Sequence, residues 1–209
     1  MLSGLPTFLV AAFLVAITPG PATMLLIRQS AVGSWRTVLA TIAGIEAGVL
    51  FWALAAVFGL SAVLVASQFA YDVLRVVGAL VLVWFGAQAL LAARRRPEGD
   101  VAVEVAPVPD RPWRAFHMAL LTNATNPKAG VFAISFLPQF APAGLPTTVG
   151  LLLCAGLWVA VDLTWYLGFG AALGRMGRWL RRATVRRRLE QVSGTVLIGL
   201  GLRLALDSR

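Results

Sequence analysis

The chain has 209 residues, of which 59% are hydrophobic and 13% are charged, and its mean hydropathy is +0.81. Soluble domains are about 25% charged, so this composition predicts an integral membrane protein. The net charge of +9 does not indicate a nucleic-acid partner, because the basic residues lie in short clusters between apolar runs and not along one soluble face.

Cysteine and histidine are too scarce for several kinds of site. Cys154 and His117 are the only residues of their types, which excludes an internal disulfide or a CxxC redox pair and removes the usual ligands of a transition metal. The sequence contains no paired nucleophile and base of the kind that a hydrolase needs, and no P-loop spacing. It therefore predicts neither an enzyme nor a bound cofactor.

Intervals with few charges predict six membrane-spanning helices, because about 20 apolar residues cross the hydrocarbon core. No Lys or Arg precedes the first apolar run, so we expect a retained span and not a cleaved signal peptide. The intervals are residues 1–27, 37–71, Val76–Ala93, Ala115–Pro138, Thr147–Gly174 and Val192–Leu206. The fold class is therefore predicted to be an all-α integral membrane protein with six transmembrane helices.

The first span contains the sequence ITPGPATM, which breaks a helix in the middle of an apolar run. Pro19 and Pro21 have no N–H to donate, and Gly20 between them adds backbone freedom. Irregular backbone is tolerated at membrane depth where protein buries it or where it lines a water-filled cavity. The sequence predicts a broken helix 1 whose free backbone groups find partners elsewhere.

A second break is predicted in the fourth span, where TNPKA places Pro127 near the centre. Because each half has three spans, equivalent helices run in opposite directions, as in the inverted repeats of many secondary transporters. The predicted organisation is a first three-helix half at 1–96, a flexible cytoplasmic linker at 97–113 and a second three-helix half at 114–209. The second half includes a basic cytoplasmic loop at 175–190.

The orientation follows from the basic residues of the connections. The connections after spans one, three and five carry Arg residues, with seven between Arg175 and Arg188, whereas the stretches ASQFAYD and APAGLPTT at the other two connections carry no basic residue. The positive-inside rule puts the basic connections in the cytoplasm and both termini outside. The segment Arg175 to Arg188 is predicted to contact anionic lipid headgroups; the alternative is that it acts only as a topology signal.

Three ionisable residues fall within the predicted spans: Glu46, Lys128 and Asp162. Each costs at least about 2.5 to 3.5 kcal/mol at the centre of a lone helix, so they should face a cavity or one another. Asp162 lies deepest in its span and is the better candidate for contacting substrate or a proton, whereas Glu46 is nearer the cytoplasmic end. The alternative is an internal ion pair of Lys128 with Asp162 or Glu46 that only fixes helix packing.

Two further patterns allow more than one interpretation. Asn123 and Asn126 flank the second break, where their amides can satisfy freed backbone groups or bind a polar ligand. The GxxxG spacings at Gly44–Gly48 and Gly170–Gly174 favour close helix packing and permit a homodimer without requiring one. The tryptophans and phenylalanines are predicted to be mostly lipid-facing or interfacial.

Several motifs together resemble the LysE/RhtB translocator family of bacterial amino-acid exporters. The resemblance covers nearly the whole chain except the linker at 97–112 and the basic segment at 175–190. The motifs are TPGPA (Thr18 to Ala22), Gly33, Gly44 and Gly48 followed by FGL (Phe58 to Leu60), WFGAQAL (Trp84 to Leu90), TNATNPKAGVF (Thr122 to Phe132), PQF (Pro138 to Phe140) and the aspartate of VDLTWY. The combination of PGP, NPK and PQF in this order is specific.

The resemblance implies a bacterial inner-membrane secondary transporter that exports amino acids or related small metabolites, driven by the proton motive force. Family members export basic or neutral amino acids, and Glu46, where a neutral residue is common, favours either a cationic substrate or a proton site. The alternatives are a passive small-solute channel and a non-transporting membrane scaffold subunit. The predicted substrate or proton pathway comprises Pro19, Gly20, Pro21, Glu46, Asn123, Asn126, Pro127, Lys128, Asp162 and Tyr166. Half-helix N-termini at the breaks, with Lys128, would hold the substrate carboxylate, and Asp162 or Glu46 would hold its ammonium or the driving proton.

Overall fold

The protein was analysed as a computed structural model that describes residues 4–18, 20–32, 34–66, 68–95, 111–142, 144–180 and 183–206. Within these ranges the chain is helical and contains no strand, which confirms the all-α class. The helices are α1 Leu5–Ile17, α2 Pro21–Val32, α3 Trp35–Ala66, α4 Gln68–Arg95, α5 Pro112–Ala124, α6 Pro127–Val131, α7 Thr147–Leu180 and α8 Ala183–Leu206. A π-helical turn, Phe132–Phe136, and a 3₁₀ turn, Leu137–Phe140, continue α6.

Among the described residues, three helices are long and apolar enough to cross a membrane. The segments are Trp35–Gly59 in α3, Val76–Arg94 in α4 and Thr147–Leu173 in α7. The pair α1 and α2, bent by 55° at the break, gives a fourth span if it is counted as one. The protein is thus a multi-pass membrane protein, while the count of six spans and the inverted repeat stay predictions.

The chain breaks its helices at both places where the sequence predicts a break. Helix α1 ends at Ile17, and Thr18 adopts an extended conformation with ψ of 117° before α2 begins at Pro21. Helix α5 ends at Ala124, and Asn126, also extended, caps the short helix α6. Proline at the first position of α2 and of α6 fits both starts, because an N–H at that position has no partner within the helix. Pro19 lies outside the described residues.

Glycines let two pairs of helices approach closely. A Cβ added to Gly48 of α3 would lie 2.7 Å from the Cβ of Asn123 in α5, and one added to Gly86 of α4 would lie 2.6 Å from the carbonyl oxygen of Gly194 in α8. Both distances are shorter than normal contacts, so only glycine fits. The predicted packing role of Gly48 is confirmed, and α3 is thereby fixed against the helix that leads into the second break.

Aromatic rings hold α1 against the turns that follow α6. Phe8 lies 6.4, 6.2 and 5.7 Å, between ring centroids, from Phe132, Phe136 and Phe140 respectively. These three rings recur at intervals of four residues, and the π-helical turn between them is a rare conformation that is frequent at functional sites. The two broken regions are therefore packed directly against each other.

Most of the basic segment is helical, and most of the predicted linker lies outside the described residues. Helix α7 continues to Leu180 and α8 begins at Ala183, so most of the segment 175–190 is helical, and residues 181–182 lie outside the described residues. Of the predicted linker, residues 97–110 lie outside the described residues and α5 begins at Pro112. The cytoplasmic placement of both segments stays a prediction.

Replacing Gly48 or Gly156 by alanine should change the stability of the protein in opposite directions. Replacing glycine by alanine inside a helix normally stabilises it by about 0.5 to 1 kcal/mol. At Gly48 the added methyl group would clash with α5, so Gly48→Ala should lower the thermal unfolding midpoint of the purified protein in detergent. Gly156→Ala is the matched control, because no described atom lies within 4 Å of a Cβ at this exposed position of α7. Equal midpoints for the two variants would contradict the close packing of α3 and α5.

Candidate functional site

The ammonium group of Lys128 joins the two breaks. Its Nζ donates hydrogen bonds to the carbonyl oxygens of Val15, at 2.9 Å, and Thr18, at 3.0 Å. In a continuous helix the N–H of residue 19 would donate to the Val15 carbonyl, but residue 19 is a proline and has no N–H. The lysine from the second break therefore supplies the donor that the first break lacks.

The two asparagines bind the protein itself. The side chain of Asn126 accepts a hydrogen bond from the backbone N–H of Lys128 at 3.0 Å and donates to Oδ1 of Asn123 at 3.4 Å. Asn123 in turn donates from Nδ2 to the carbonyl oxygen of Ile45 in α3 at 2.8 Å. The amides thus fix the start of α6 and attach it to α3. Most of their hydrogen-bonding capacity is used within the protein, which favours the interpretation that they satisfy protein groups over the interpretation that they bind a ligand.

One face of α7 supplies the other side of the site. Trp158, Asp162 and Tyr166 recur every four residues and are all buried, because side chains at this spacing share a helix face. The hydroxyls of Tyr166 and Thr23 lie 3.3 Å apart, within hydrogen-bonding distance, which links α7 to the start of α2 just after the first break. Helix α7 therefore presents its only described carboxylate, Asp162, beside both breaks.

Lys128 and Asp162 interact through their charges without forming a recorded ion pair. The negative charge of Asp162 acts favourably on the Lys128 ammonium, but the structure records no ion pair between Lys128 and either Asp162 or Glu46, all of which are described. An ammonium group has three N–H donors, and two of them bind Val15 and Thr18. No described residue takes the third, so it is available to a ligand.

These groups surround a small cavity. Its volume is about 20 Å³, which is enough for about one water molecule and far below the roughly 300 Å³ at the lower end of small-molecule pockets. The cavity is therefore too small to hold an amino acid. The residues that line the cavity are Val15, Ala16, Ala22, Val49, Asn123, Asn126, Lys128, Ala129, Trp158, Asp162 and Tyr166.

Half of the predicted pathway residues line this cavity: Asn123, Asn126, Lys128, Asp162 and Tyr166. The others that are described lie around it. A Cβ added to Gly20 would lie 3.4 Å from the Lys128 Nζ, so this glycine borders the ammonium. Pro21 and Pro127 are exposed first residues of α2 and α6. These two prolines shape the breaks and do not line the cavity.

Glu46 lies near Asp162 and is not one of the residues that line the cavity. Both of its carboxylate oxygens are buried, and no residue of the described ranges donates a hydrogen bond to either of them. Its carboxyl interacts with that of Asp162 through charge and as a side-chain hydrogen-bonding pair, which requires one of the two carboxyls to carry a proton. Burying a carboxylate without donors is costly, and sharing one proton between the two carboxyls lowers that cost.

The N-terminus of α6 is a weaker anion site than the sequence suggests. Helix α6 has only five residues, and the backbone N–H of Lys128 in its first turn is already bound by Asn126. Of the two half-helix N-termini that are expected to hold the substrate carboxylate, the N-terminus of α2 is the better candidate, and its Ala22 lines the cavity.

Sequence reasoning missed two residues of the site. Trp158 lies one turn from Asp162 at helical spacing, which indicates a shared helix face, but it is not among the predicted pathway residues. Thr23 carried no signal, because its contact with Tyr166 spans 143 residues of sequence and depends on how α2 packs against α7.

Comparisons with known proteins agree on one family. The LysE type translocator model matches residues 13–208. The chain is 24% identical to the uncharacterized membrane protein YrhP of Bacillus subtilis (94% of this chain and 95% of that protein), and 25% identical to the homoserine/homoserine lactone efflux protein of Salmonella typhimurium (95% and 94%). It is 27% identical to the threonine efflux protein of Escherichia coli K12 (91% and 92%). No solved structure matches the chain.

The hydrogen bonds of Lys128 to the first break predict that a substitution of Pro19 can compensate for the loss of this lysine. Lys128→Met leaves the carbonyls of Val15 and Thr18 without their donor, and each unsatisfied buried group costs about 1 to 3 kcal/mol, so the thermal midpoint should fall. Pro19→Ala restores an N–H at residue 19 that can donate to Val15. The double variant should therefore recover part of the lost stability, as a double-mutant cycle would measure.

The matched control for this rescue is Pro6→Ala. Pro6 lies in the first turn of α1, where an added N–H has no carbonyl to meet within the helix. The account is wrong if Pro19→Ala restores no more stability to the Lys128→Met protein than Pro6→Ala does.

Proposed function

The chain belongs to the LysE type translocator family, whose members are transporters and not enzymes, and from this premise we propose that it exports amino acids or related small metabolites from the cytoplasm, driven by the proton motive force. The observation that carries the proposal is that Lys128, with one N–H that no described residue accepts, and Asp162 line the same small cavity. An amino acid is a zwitterion, with one carboxylate and one ammonium group. Lys128 and Asp162 supply the charges complementary to these two groups beside the same cavity.

The site can receive both charged ends of the substrate. The substrate carboxylate meets the third N–H of Lys128, and the substrate ammonium meets Asp162, which is 5% exposed. Charge-assisted hydrogen bonds of this kind are about twice as strong as neutral ones. Relatives are named as a homoserine/homoserine lactone efflux protein and a threonine efflux protein; homoserine and threonine are zwitterions of this kind, which supports the same substrate class here.

The size of the cavity favours a carrier over a passive channel. A volume of about 20 Å³ is too small for an amino acid, so the site must open before a substrate can enter. The elements that border it are the interrupted helices α1, α2, α5 and α6 together with the continuous helices α3 and α7, and we propose that the interrupted helices move to open it. A passive channel would instead need a continuous path, and a cavity of this size does not support one.

The carboxyl pair provides the proposed coupling to protons. When the substrate ammonium leaves, Asp162 faces Glu46 without a compensating cation other than Lys128, so the pair takes up a proton. When a new substrate arrives from the cytoplasm, its ammonium replaces that proton, which passes to Glu46 and then to the cytoplasm. Substrate and proton therefore compete for Asp162, which couples export to proton entry.

The proposed architecture is two inverted three-helix halves in the bacterial inner membrane with both termini outside. The packing supports this plan, because α3 contacts α5, α7 contacts α1 and α2, and α4 contacts α8, as expected when a two-fold axis relates the halves. We further propose that Arg175 to Arg188 contacts anionic headgroups of the inner leaflet. The GxxxG faces remain compatible with a homodimer.

The main prediction concerns Asp162. In proteoliposomes loaded with a panel of labelled amino acids, the wild-type protein should release at least one of them faster when a pH gradient is imposed. Asp162→Asn keeps the size of the side chain but cannot exchange a proton, so it should reduce gradient-driven release at least tenfold while the protein still inserts and purifies. Asp72→Asn, a change of the same kind near the start of α4, is the control and should behave as wild type. Gradient-driven transport by Asp162→Asn at the wild-type rate would exclude this assignment.

A substitution of Glu46 should separate proton coupling from substrate binding. Glu46→Gln retains Asp162 and Lys128, so exchange of labelled for unlabelled substrate across the membrane should continue within about threefold of the wild-type rate. Release driven by a pH gradient should be lost, because the proton has no acceptor between Asp162 and the cytoplasm. If both modes of transport fall together, Glu46 binds substrate or supports the fold and does not relay protons.

A further inference from the structure

The indole N–H of Trp158 is a buried donor without an acceptor. The side chain is 2% exposed, and no group in the described part of the chain accepts a hydrogen bond from Nε1. An unsatisfied buried donor costs about 1 to 3 kcal/mol, and such groups in native proteins call for an explanation. A ligand or a water molecule in the cavity would supply the acceptor that the described residues lack.

Trp158 is held where a ligand can reach it. It lines the same cavity as Lys128 and Asp162, and it precedes Asp162 by one helical turn on the buried face of α7. Its ring packs against Phe132 with 5.0 Å between centroids and 56° between planes, and Phe132 is itself fixed against Phe8 and Phe136. The ring therefore has little freedom to turn its N–H towards another acceptor.

We propose that Trp158 is a substrate-binding residue whose indole N–H donates a hydrogen bond to the substrate carboxylate, beside the third N–H of Lys128. This inference rests on the proposed function, because it assigns a further contact within the same site. It makes the carboxylate end of the site a pair of donors, one charged on α6 and one neutral on α7.

The chemistry of the indole group selects the carboxylate end of the substrate. An indole N–H can only donate, so it cannot bind the substrate ammonium, which also only donates. A carboxylate offers about four lone-pair positions and can accept from Lys128 and Trp158 at the same time. With Asp162 as the acceptor for the ammonium, the cavity has complementary groups for both ends of an amino acid.

A second tryptophan provides a control of the same chemistry. Trp165, on the same helix, also has a buried Nε1 without a partner among the described residues. It is not one of the residues that line the cavity; its ring packs edge-on against Phe13 at 5.7 Å and stacks on Phe169 at 5.4 Å. Replacing either tryptophan by phenylalanine removes one N–H and keeps an aromatic ring.

The test compares Trp158→Phe with Trp165→Phe in the proteoliposome assay. Hydrogen bonds to charged groups contribute enough that the loss of one changes affinity about tenfold or more, so Trp158→Phe should raise the KM for the exported amino acid at least tenfold. Trp165→Phe should leave the KM within twofold of wild type. An unchanged KM in Trp158→Phe, with wild-type transport intact, overturns the inference but leaves the proposed function standing.

A spectroscopic readout separates binding from a structural effect. In protein labelled with ¹⁵N at the tryptophan indoles, the Trp158 signal is the one absent from the Trp158→Phe spectrum. Addition of the exported amino acid should shift this signal to the frequency of a stronger hydrogen bond and leave the Trp165 signal unchanged. If the Trp158 signal does not respond to saturating substrate, its N–H binds a permanent water molecule and the inference is wrong. Absence of export of any amino acid by the wild type would instead contradict the proposed function itself.

Discussion

The structure depends on one constraint, which is that backbone groups at membrane depth must find partners within the protein. The Pro-Gly-Pro break leaves the carbonyls of Val15 and Thr18 without helical donors, and the ammonium of Lys128 satisfies both. Because Lys128 stands at the start of α6, this contact can form only if the second break lies beside the first. The two irregular segments are therefore stabilised by each other, and the side chains around them form a small cavity that includes Lys128 and Asp162 in its lining.

The same ammonium has a second use, because its third N–H is not taken by any described residue. Asp162 stands near enough to stabilise the positive charge without a recorded ion pair, and Glu46 adds a second buried carboxyl behind it. The site therefore has two carboxyls and one ammonium, an imbalance that either a proton or a cationic group can relieve. Competition between those two partners is the proposed physical basis for coupling substrate export to proton entry.

Sequence reasoning could predict much of this from local chemistry. The proline positions indicated both breaks, and the cost of intramembrane charge indicated that Lys128 and Asp162 face the interior. It could not predict what Lys128 binds, because Val15 is 113 residues away and a backbone carbonyl leaves no mark in the sequence. It also left the role of Asn123 and Asn126 open, and it gave Trp158 no role in the site, since helical spacing from Asp162 indicates a shared helix face but does not show which residues line a cavity.

The central claim is that substrate binds at the Lys128 ammonium, and this lysine is the only one in the chain. Its rate of modification by a small amine-reactive reagent, followed by mass spectrometry of the purified protein, therefore reports on one site apart from the N-terminus. An exported amino acid should slow the modification of Lys128, whereas an amino acid that is not exported, at the same concentration, should not. Equal modification rates in the two cases would contradict the account.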